Sequence, residues 1–147
     1  MASQDLLSNI DFRLSTAAIA ITATGNGETI DTQGYDSVCW IINAGVFSNV
    51  DTGDFLTYSL EDDSASGMGT AAAVTGDEVR FADSWDGIIN ATDEDVAVYA
   101  MSYHGPERYV RMVITETSDT GNLSAIMSAT CILGHAHSKP ATAVAAA

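Results

Sequence analysis

The chain has 147 residues, of which 20 are Asp or Glu and only 5 are Lys or Arg, so its formal net charge at pH 7 is −15. The length predicts one domain with its own core, and an apolar content of 46% excludes a fully disordered chain. A charge this negative repels phosphate groups, which excludes nucleic-acid binding and disfavours attachment to anionic membranes.

Clusters of β-branched and aromatic residues between turn-forming residues predict an all-β chain. In chain order, the predicted strands lie at residues 14–22, 38–46, 55–61, 96–103, 108–115 and 123–133. The last three are separated by short polar connections, which predicts a meander of antiparallel hairpins. Strands of this number and spacing predict an antiparallel β-sandwich or a jelly-roll-like barrel.

The two chain ends are poor in large apolar residues and are expected to be flexible. We therefore divide the chain into an N-terminal arm at residues 1–12, a single β domain at 13–134 and a C-terminal tail at 135–147. Within the domain, residues 59–76 carry acids and then small residues, which predicts a long loop or an irregular hairpin.

The alternation of apolar and polar residues assigns the core-facing positions. The predicted core includes Val38, Trp40, Ile42, Val98, Val110, Met112, Ile114 and Met127. Arg111 lies mid-strand on the opposite face, beside Tyr109, in a chain where acids are plentiful. We expect its guanidinium to be held bidentately by a carboxylate or by backbone carbonyls. Trp40, Tyr109 and Arg111 are assigned structural roles.

Leader, membrane and redox signals are weak. No run of about 18 apolar residues is present, so no membrane-spanning segment is expected. Asp5 and Asp11 precede the short apolar stretch at 16–24, where a signal peptide carries bases, so we expect the chain to be made in the cytoplasm. Cys39 and Cys131 lie in apolar runs typical of reduced, buried thiols. The alternative is a disulfide bond between them on facing strands.

The titratable residues do not form a catalytic pattern, so we predict no enzyme activity, no cofactor and no structural metal. His135 and His137 flank one alanine, a spacing that can present a metal pair, but an interface or solvated pair is favoured over a metal site. Residues 49–54 faintly resemble a calcium loop and are interpreted as a polar hairpin tip. The acid clusters at 61–63 and 93–95 are expected to be solvated, and a weak cation site among them stays open.

The acids are unevenly distributed along the chain. Sixteen of the twenty lie at residues 28–107, together with a single base, Arg80. If these acids lie in solvent-facing loops, one part of the molecule is strongly negative and another is nearly neutral. Such polarity is typical of an attached module that docks through one surface and repels other molecules with the rest.

Three segments carry a resemblance to a known family. Residues 103–111 read Tyr-His-Gly-Pro-Glu-Arg-Tyr-Val-Arg, residues 134–135 are Gly-His with Pro140 nearby, and Gly34-Tyr35 precede the first long apolar strand. The chain resembles small proteins encoded beside the major capsid gene of tailed bacteriophages, which share these patterns. The resemblance covers both ends of the chain and is thin at residues 46–95.

The resemblance implies a head auxiliary protein, meaning a decoration or cement protein on the outside of the capsid of the virion. It implies the major capsid protein as partner and a homo-oligomer, a trimer being one arrangement. From the chain ends and the less acidic surface we select the capsid-docking candidates Leu6, Leu7, Arg13, His135, His137 and Lys139. The alternatives are a tail or neck component, and a carbohydrate-binding β-sandwich on the virion surface with Trp85 as its sugar platform.

Overall fold

The computed structural model describes Leu6 and residues 8–137. Long strands form where β-branched and aromatic residues alternate with small or polar ones. The only helices in the described residues are two single-turn 3₁₀ helices, at Gly76–Glu78 and Thr92–Glu94. The strands are β1 (Ile10–Ile21), β2 (Gly25–Asn26), β3 (Ile30–Asp31), β4 (Tyr35–Ser48), β5 (Asp54–Asp63), β6 (Ala72–Ala73), β7 (Val79–Phe81), β8 (Ile88–Ile89), β9 (Val98–Tyr103), β10 (Tyr109–Ser118) and β11 (Ser124–Ala136). The part of the chain that the structure describes contains no candidate membrane-spanning helix.

The strands form two antiparallel sheets, which confirms the predicted all-β sandwich. The first sheet has five strands in the order β1-β11-β4-β9-β7. The second has six: β10 and β5 pair along their whole lengths, β2 and β3 flank β10, and β6 and β8 flank β5. The inward residues of both sheets pack into one core, because alternate residues of a strand point to the same side.

Trp40 marks the centre of this core. It is fully buried on β4, and its indole Nε1–H donates to the Ser15 hydroxyl on β1 at 3.1 Å. Seven of the eight predicted core residues are buried, the exception being Val98, which is 67% exposed. On β9 the apolar residues occupy both phases of the alternation, and the larger side chains Tyr99, Met101 and Tyr103 take the inward phase.

The predicted meander of the last three strands is wrong. β9 pairs with β4 and β7 in the five-stranded sheet, β10 pairs with β5 in the other sheet, and β11 returns to pair with β1 and β4. The connections at residues 104–108 and 119–123 therefore cross from one sheet to the other. Residue alternation identifies the buried face of a strand but does not distinguish a hairpin from such a crossing.

Three acids expected in solvent are buried. Asp62 and Asp63 are the last residues of β5, and Asp54 is the first, so the loop predicted from residue 59 begins only after Asp63. Each has hydrogen-bond donors: Tyr103 for Asp62, Thr70 and Ala65 for Asp63, and Ser118 and Thr120 for Asp54. Burial of a carboxylate is tolerated only where such partners replace water.

The boundaries of the domain also shift outwards. β1 begins at Ile10, inside the predicted arm, and β11 ends at Ala136, inside the predicted tail. These residues join the sheet because Ile10 pairs with Gly134 and Ala136 pairs with Tyr35.

The two cysteines lie on opposite faces of the five-stranded sheet. Cys131 pairs with the inward Trp40, while Cys39 pairs with the outward Ile132. Both are free, and burial raises the pKa of each thiol. The geometry therefore contradicts the alternative of a disulfide between them.

Candidate functional site

The three segments that carry the family resemblance lie together at one end of the sandwich. We call this the terminal end and define it by residues 10–13, 30–37, 103–108 and 134–137. It forms because the start of β1, the end of β11, the start of β4 and the end of β9 are neighbours: Ile10 pairs with Gly134, Gly134 with Ser37, and Val38 with Tyr103.

An ion pair joins two of these segments. The Arg108 guanidinium donates from Nε to Asp31 Oδ1 at 2.8 Å and from Nη2 to Asp31 Oδ2 at 2.7 Å. The Arg108 hydrogen bonds hold the pKa of the Asp31 carboxyl below its usual range. The backbone carbonyl of Arg108 also accepts hydrogen bonds from the Thr32 amide and hydroxyl. Such a two-oxygen fork fixes the loop before β10 against the turn before β4.

His135 and His137, both docking candidates, join the end of β11 to the start of β4. His137 Nε2 lies 2.6 Å from Asp36 Oδ1, and the His137 amide donates to the Gly34 carbonyl. His135 Nδ1 lies 2.8 Å from the Ser37 hydroxyl, and its backbone has a φ of 53°. β11 stays paired with β4 on both sides of His135, and the two rings have different partners on β4.

A buried carboxylate anchors the start of β1. Asp11 is 1% exposed and accepts from Arg13 Nη2 at 2.8 Å, from the Tyr35 hydroxyl at 3.2 Å and from the Phe12 amide. Burial and the Asp11 carboxylate raise the pKa of Tyr35. Arg13, selected as a docking candidate, therefore also neutralises a buried acid.

The loop between β9 and β10 packs tightly on Tyr103. A side chain at Gly105 would meet the Tyr103 ring at 2.4 Å, so only glycine fits there. The Tyr103 hydroxyl donates to Asp62 Oδ2 and accepts from the Glu107 amide. Burial, and then the hydrogen bond to Asp62, raise the pKa of Tyr103, so the phenol stays protonated at neutral pH.

A polar cleft of about 470 Å³ opens between these loops. Its lining residues are Thr32, Gln33, Gly34, Tyr35, Asp36, Val38, Tyr103, His104, Gly105, Pro106, Glu107 and Arg108. Of the four ion pairs between described residues, three lie at the terminal end. The cleft is therefore a set of loops fixed by internal pairing, suited to recognition by shape and hydrogen bonding.

The opposite end of the sandwich, which we call the far end, is formed by the loops at residues 49–53 and 119–123. Asp51 Oδ1 accepts from the Gly53 and Asp54 amides, and Ser118 lowers the pKa of Asp54 through its hydroxyl. These bonds occupy carboxylate oxygens within the loops. The loop at 49–53 is polar as predicted, but it joins β4 of one sheet to β5 of the other, so the predicted hairpin is wrong. Among the described residues no group of three or more His, Cys, Asp or Glu is placed to hold a metal ion.

The docking candidates are brought together in part. Leu6 is exposed just before β1, and Arg13, His135 and His137 belong to the terminal end. Leu7 and Lys139 lie outside the described residues. The sequence does not identify three further residues of the terminal end as docking candidates: Asp31, Gln33 and Asp36. Their partners and cleft neighbours lie about 70 to 100 residues away, and nothing in the spacing indicates these contacts.

Of the residues assigned structural roles, Trp40 and Arg111 lie outside the terminal end, whereas Tyr109 borders it by pairing with Asp31. Trp40 is in the core, whereas Arg111 and Tyr109 face outward on β10. Arg111 donates from Nε and Nη2 to one oxygen of Glu61, at 3.1 and 2.7 Å, on the directly paired position of β5. Its carboxylate partner is thus a cross-strand neighbour. Arg108, rather than Arg111, makes the two-oxygen fork.

Trp85 is not presented as a sugar platform. Its ring packs at 4.6 Å from Tyr99 and at 5.4 and 5.5 Å from Phe81 and Tyr58, measured between ring centroids. Its indole N–H donates to the Ile88 carbonyl. Trp85 therefore contributes to the aromatic edge of the core.

Comparison with protein-family models, curated proteins and solved structures finds no match to this chain.

Proposed function

We propose that the chain is a non-enzymatic structural protein of a phage virion, which binds the outer surface of the capsid as a decoration or cement protein and stabilises the head. The supporting observation is that the three segments resembling phage head auxiliary proteins converge at the terminal end. They are far apart in sequence but are joined there by the Arg108–Asp31 and His137–Asp36 pairs. Residues joined in this way are expected where a family keeps one binding surface.

The charge distribution supports docking through the terminal end. Of the terminal-end acids, Asp11, Asp31 and Asp36 are paired with Arg13, Arg108 and His137, and Glu107 is the exception, whereas no ion pair between described residues includes Asp51 or Asp119 of the far-end loops. Placing unpaired acids against another ordered protein requires matching bases or incurs repulsion. The major capsid protein is the proposed partner, with the far end turned to solvent.

Two exposed turn residues give a matched test. Gln33 lies at the terminal end and Thr52 at the far end. We expect Gln33→Trp to lower the occupancy of the chain on capsids assembled without it, because a bulky ring obstructs the cleft, while Thr52→Trp binds normally. Occupancy is measured by sedimenting the capsids and quantifying the bound chain. Both variants should melt at the wild-type temperature.

The contribution of the chain ends is tested separately. Deleting residues 1–9 removes nothing from β1, and deleting 139–147 removes nothing from β11. Each deletion should leave the melting temperature nearly unchanged and lower capsid occupancy. Normal binding by Gln33→Trp and by both deletions, with loss of binding by Thr52→Trp, would reverse the proposed orientation. Failure of the wild-type chain to bind any capsid of its phage would overturn the function.

A further inference from the structure

The outward face of the five-stranded sheet is apolar in a chain of net charge −15. Directly paired residues of antiparallel strands point to the same side, so the register identifies the members of this face. Phe12 pairs with Ile132, and Ile132 with Cys39; Leu14 pairs with Thr130, and Thr130 with Ile41. We call this surface the apolar face and define it by Phe12, Leu14, Ile41, Val98, Ile126 and Ile132.

These side chains are accessible. Phe12, Leu14, Val98 and Ile126 are 45%, 60%, 67% and 54% exposed. The positions between them carry uncharged polar groups, among them Asn43, Ser128 and Thr130. In the paired rows of this face the one charged residue is Arg80, on the edge strand β7 opposite Ser102. No acid occupies these rows, although one residue in about seven of the chain is acidic.

We infer that the apolar face is the interface of a homodimer, in which two copies pack sheet against sheet about a two-fold axis. The argument for a second copy starts from charge. Two chains of charge −15 repel each other, and acids approach one another least when these acid-free faces meet. A surface of aliphatic and hydroxyl side chains needs no opposite charge for complementarity, so the same face of another copy satisfies it.

The size of the face agrees with a weak, specific dimer. The face spans four strands, β1, β11, β4 and β9, which are spaced about 4.8 Å apart. Along each strand it covers about six residues at about 3.3 Å each, so it measures roughly 20 by 20 Å. Two such faces bury on the order of 1,000 Å² in total, close to the smallest area of a specific interface. The dimer should therefore form in a concentration-dependent manner. This inference is independent of the proposed function.

Sedimentation equilibrium over a range of concentrations tests the inference directly. The wild-type mass should rise from that of the 15.4 kDa chain to twice that value. Added salt should increase the dimer fraction, because it screens like charges and leaves apolar contacts intact. Three results would each overturn the inference: a mass that stays at the monomer value, a mass that rises to the trimer value, and a dimer that dissociates when salt is added.

Variants locate the interface. Ile126→Lys combined with Val98→Lys places two charges on the apolar face, and Ile126 lies on β11, which has a strand on each side. Thr115→Lys combined with Thr117→Lys makes the same change of charge on exposed positions of β10, in the other sheet. We expect the first pair to be monomeric with unchanged circular dichroism, and the second to dimerise like the wild type.

A milder substitution protects the test against misfolding. Asn43 is exposed in the same row as Ser128 and Val98, so Asn43→Lys adds a charge without removing apolar packing. It should lower the association constant at least tenfold. A dimer unaffected by Asn43→Lys and by the double variant would place the interface elsewhere and overturn the inference. So would a wild-type monomer whose capsid occupancy falls with Asn43→Lys, since the face would then belong to the capsid.

Discussion

The Tyr103 hydroxyl donates a 2.6 Å hydrogen bond to the Asp62 carboxylate across the interior of the sandwich. Tyr103 ends β9 of one sheet and Asp62 lies near the end of β5 of the other, so this bond joins the two sheets at the terminal end. It also explains how an acid that is only 9% exposed is tolerated.

Tyr103→Phe should lower the free energy of unfolding by about 2–3 kcal/mol, because the buried Asp62 carboxylate and the Glu107 amide would each lose a partner. Urea unfolding measures this loss. Tyr109→Phe, on the outward face of β10, is the matched control and should change the unfolding free energy by less than about 0.5 kcal/mol. Equal losses in the two variants would show that the bond between the sheets contributes nothing.

Ile114→Ala should cost about 2–5 kcal/mol of unfolding free energy, because Ile114 is buried between the sheets and its removal leaves a cavity. Val98→Ala provides the comparison, since that side chain is mostly exposed. Thermal or urea unfolding of both variants gives the difference. A cost below about 0.5 kcal/mol at Ile114 would mean that β10 turns its other face inward.

Arg111→Lys should lower the unfolding free energy by about 0.5–1 kcal/mol. The lysine keeps the charge but replaces two guanidinium donors to Glu61 with one ammonium group. Arg80→Lys is the control at an exposed edge position, where no measurable change is expected. If both substitutions have the same effect on urea unfolding, Arg111 acts as an ordinary surface charge.

Stability should fall as the pH is lowered below about 4. The pKa of Asp31 is lowered mainly by Arg108, that of Asp54 by Ser118, and that of Asp63 by the Ala65 and Thr70 amides. Because these carboxyls bind protons more weakly when folded than when unfolded, acid favours the unfolded chain. The stabilisation is present above the unfolded pKa and is lost as the pH passes through the lower folded values.

The urea midpoint measured from about pH 6 down to about pH 2.5 follows this loss. Asp63→Asn removes one of the contributing groups, so its midpoint should depend less steeply on pH than that of the wild type. A wild-type midpoint that does not change over this range would contradict the assignment.

The fold class and most of the core follow from local patterns. On β4, β5 and β10 the alternation places Trp40, Leu60 and Met112 on the buried side, as the structure has them. The pairing of the strands does not follow, because β9, β10 and β11 alternate between sheets across connections as short as hairpins. On β9 both sides of the strand carry apolar residues, so the alternation does not show which side is buried. The sequence therefore assigns Val98 to the core, whereas in the structure the side with Tyr99, Met101 and Tyr103 faces the core.

The candidate site was only partly predictable for a related reason. The acids in 61–63 have the composition of a solvated cluster, but Tyr103, the partner of Asp62, lies 41 residues away. Arg108 and Asp31 are separated by 77 residues. The family resemblance links residues 103–111 with Gly34-Tyr35, which lie close to Asp31 in the chain, whereas spacing gives no indication that Arg108 and Asp31 are in contact.

The pairing of the first long strand with the last one restricts how the molecule can be assembled during translation. β11 lies between β1 and β4, so the five-stranded sheet lacks the strand that joins β1 to β4 until residues 124–136 have left the ribosome. Until then β1 and β4 have no strand between them, and each has an edge free to pair with another nascent chain. The five-stranded sheet should therefore form only after β11 has been synthesised, and folding should be slow because its main strand pairings join distant parts of the chain.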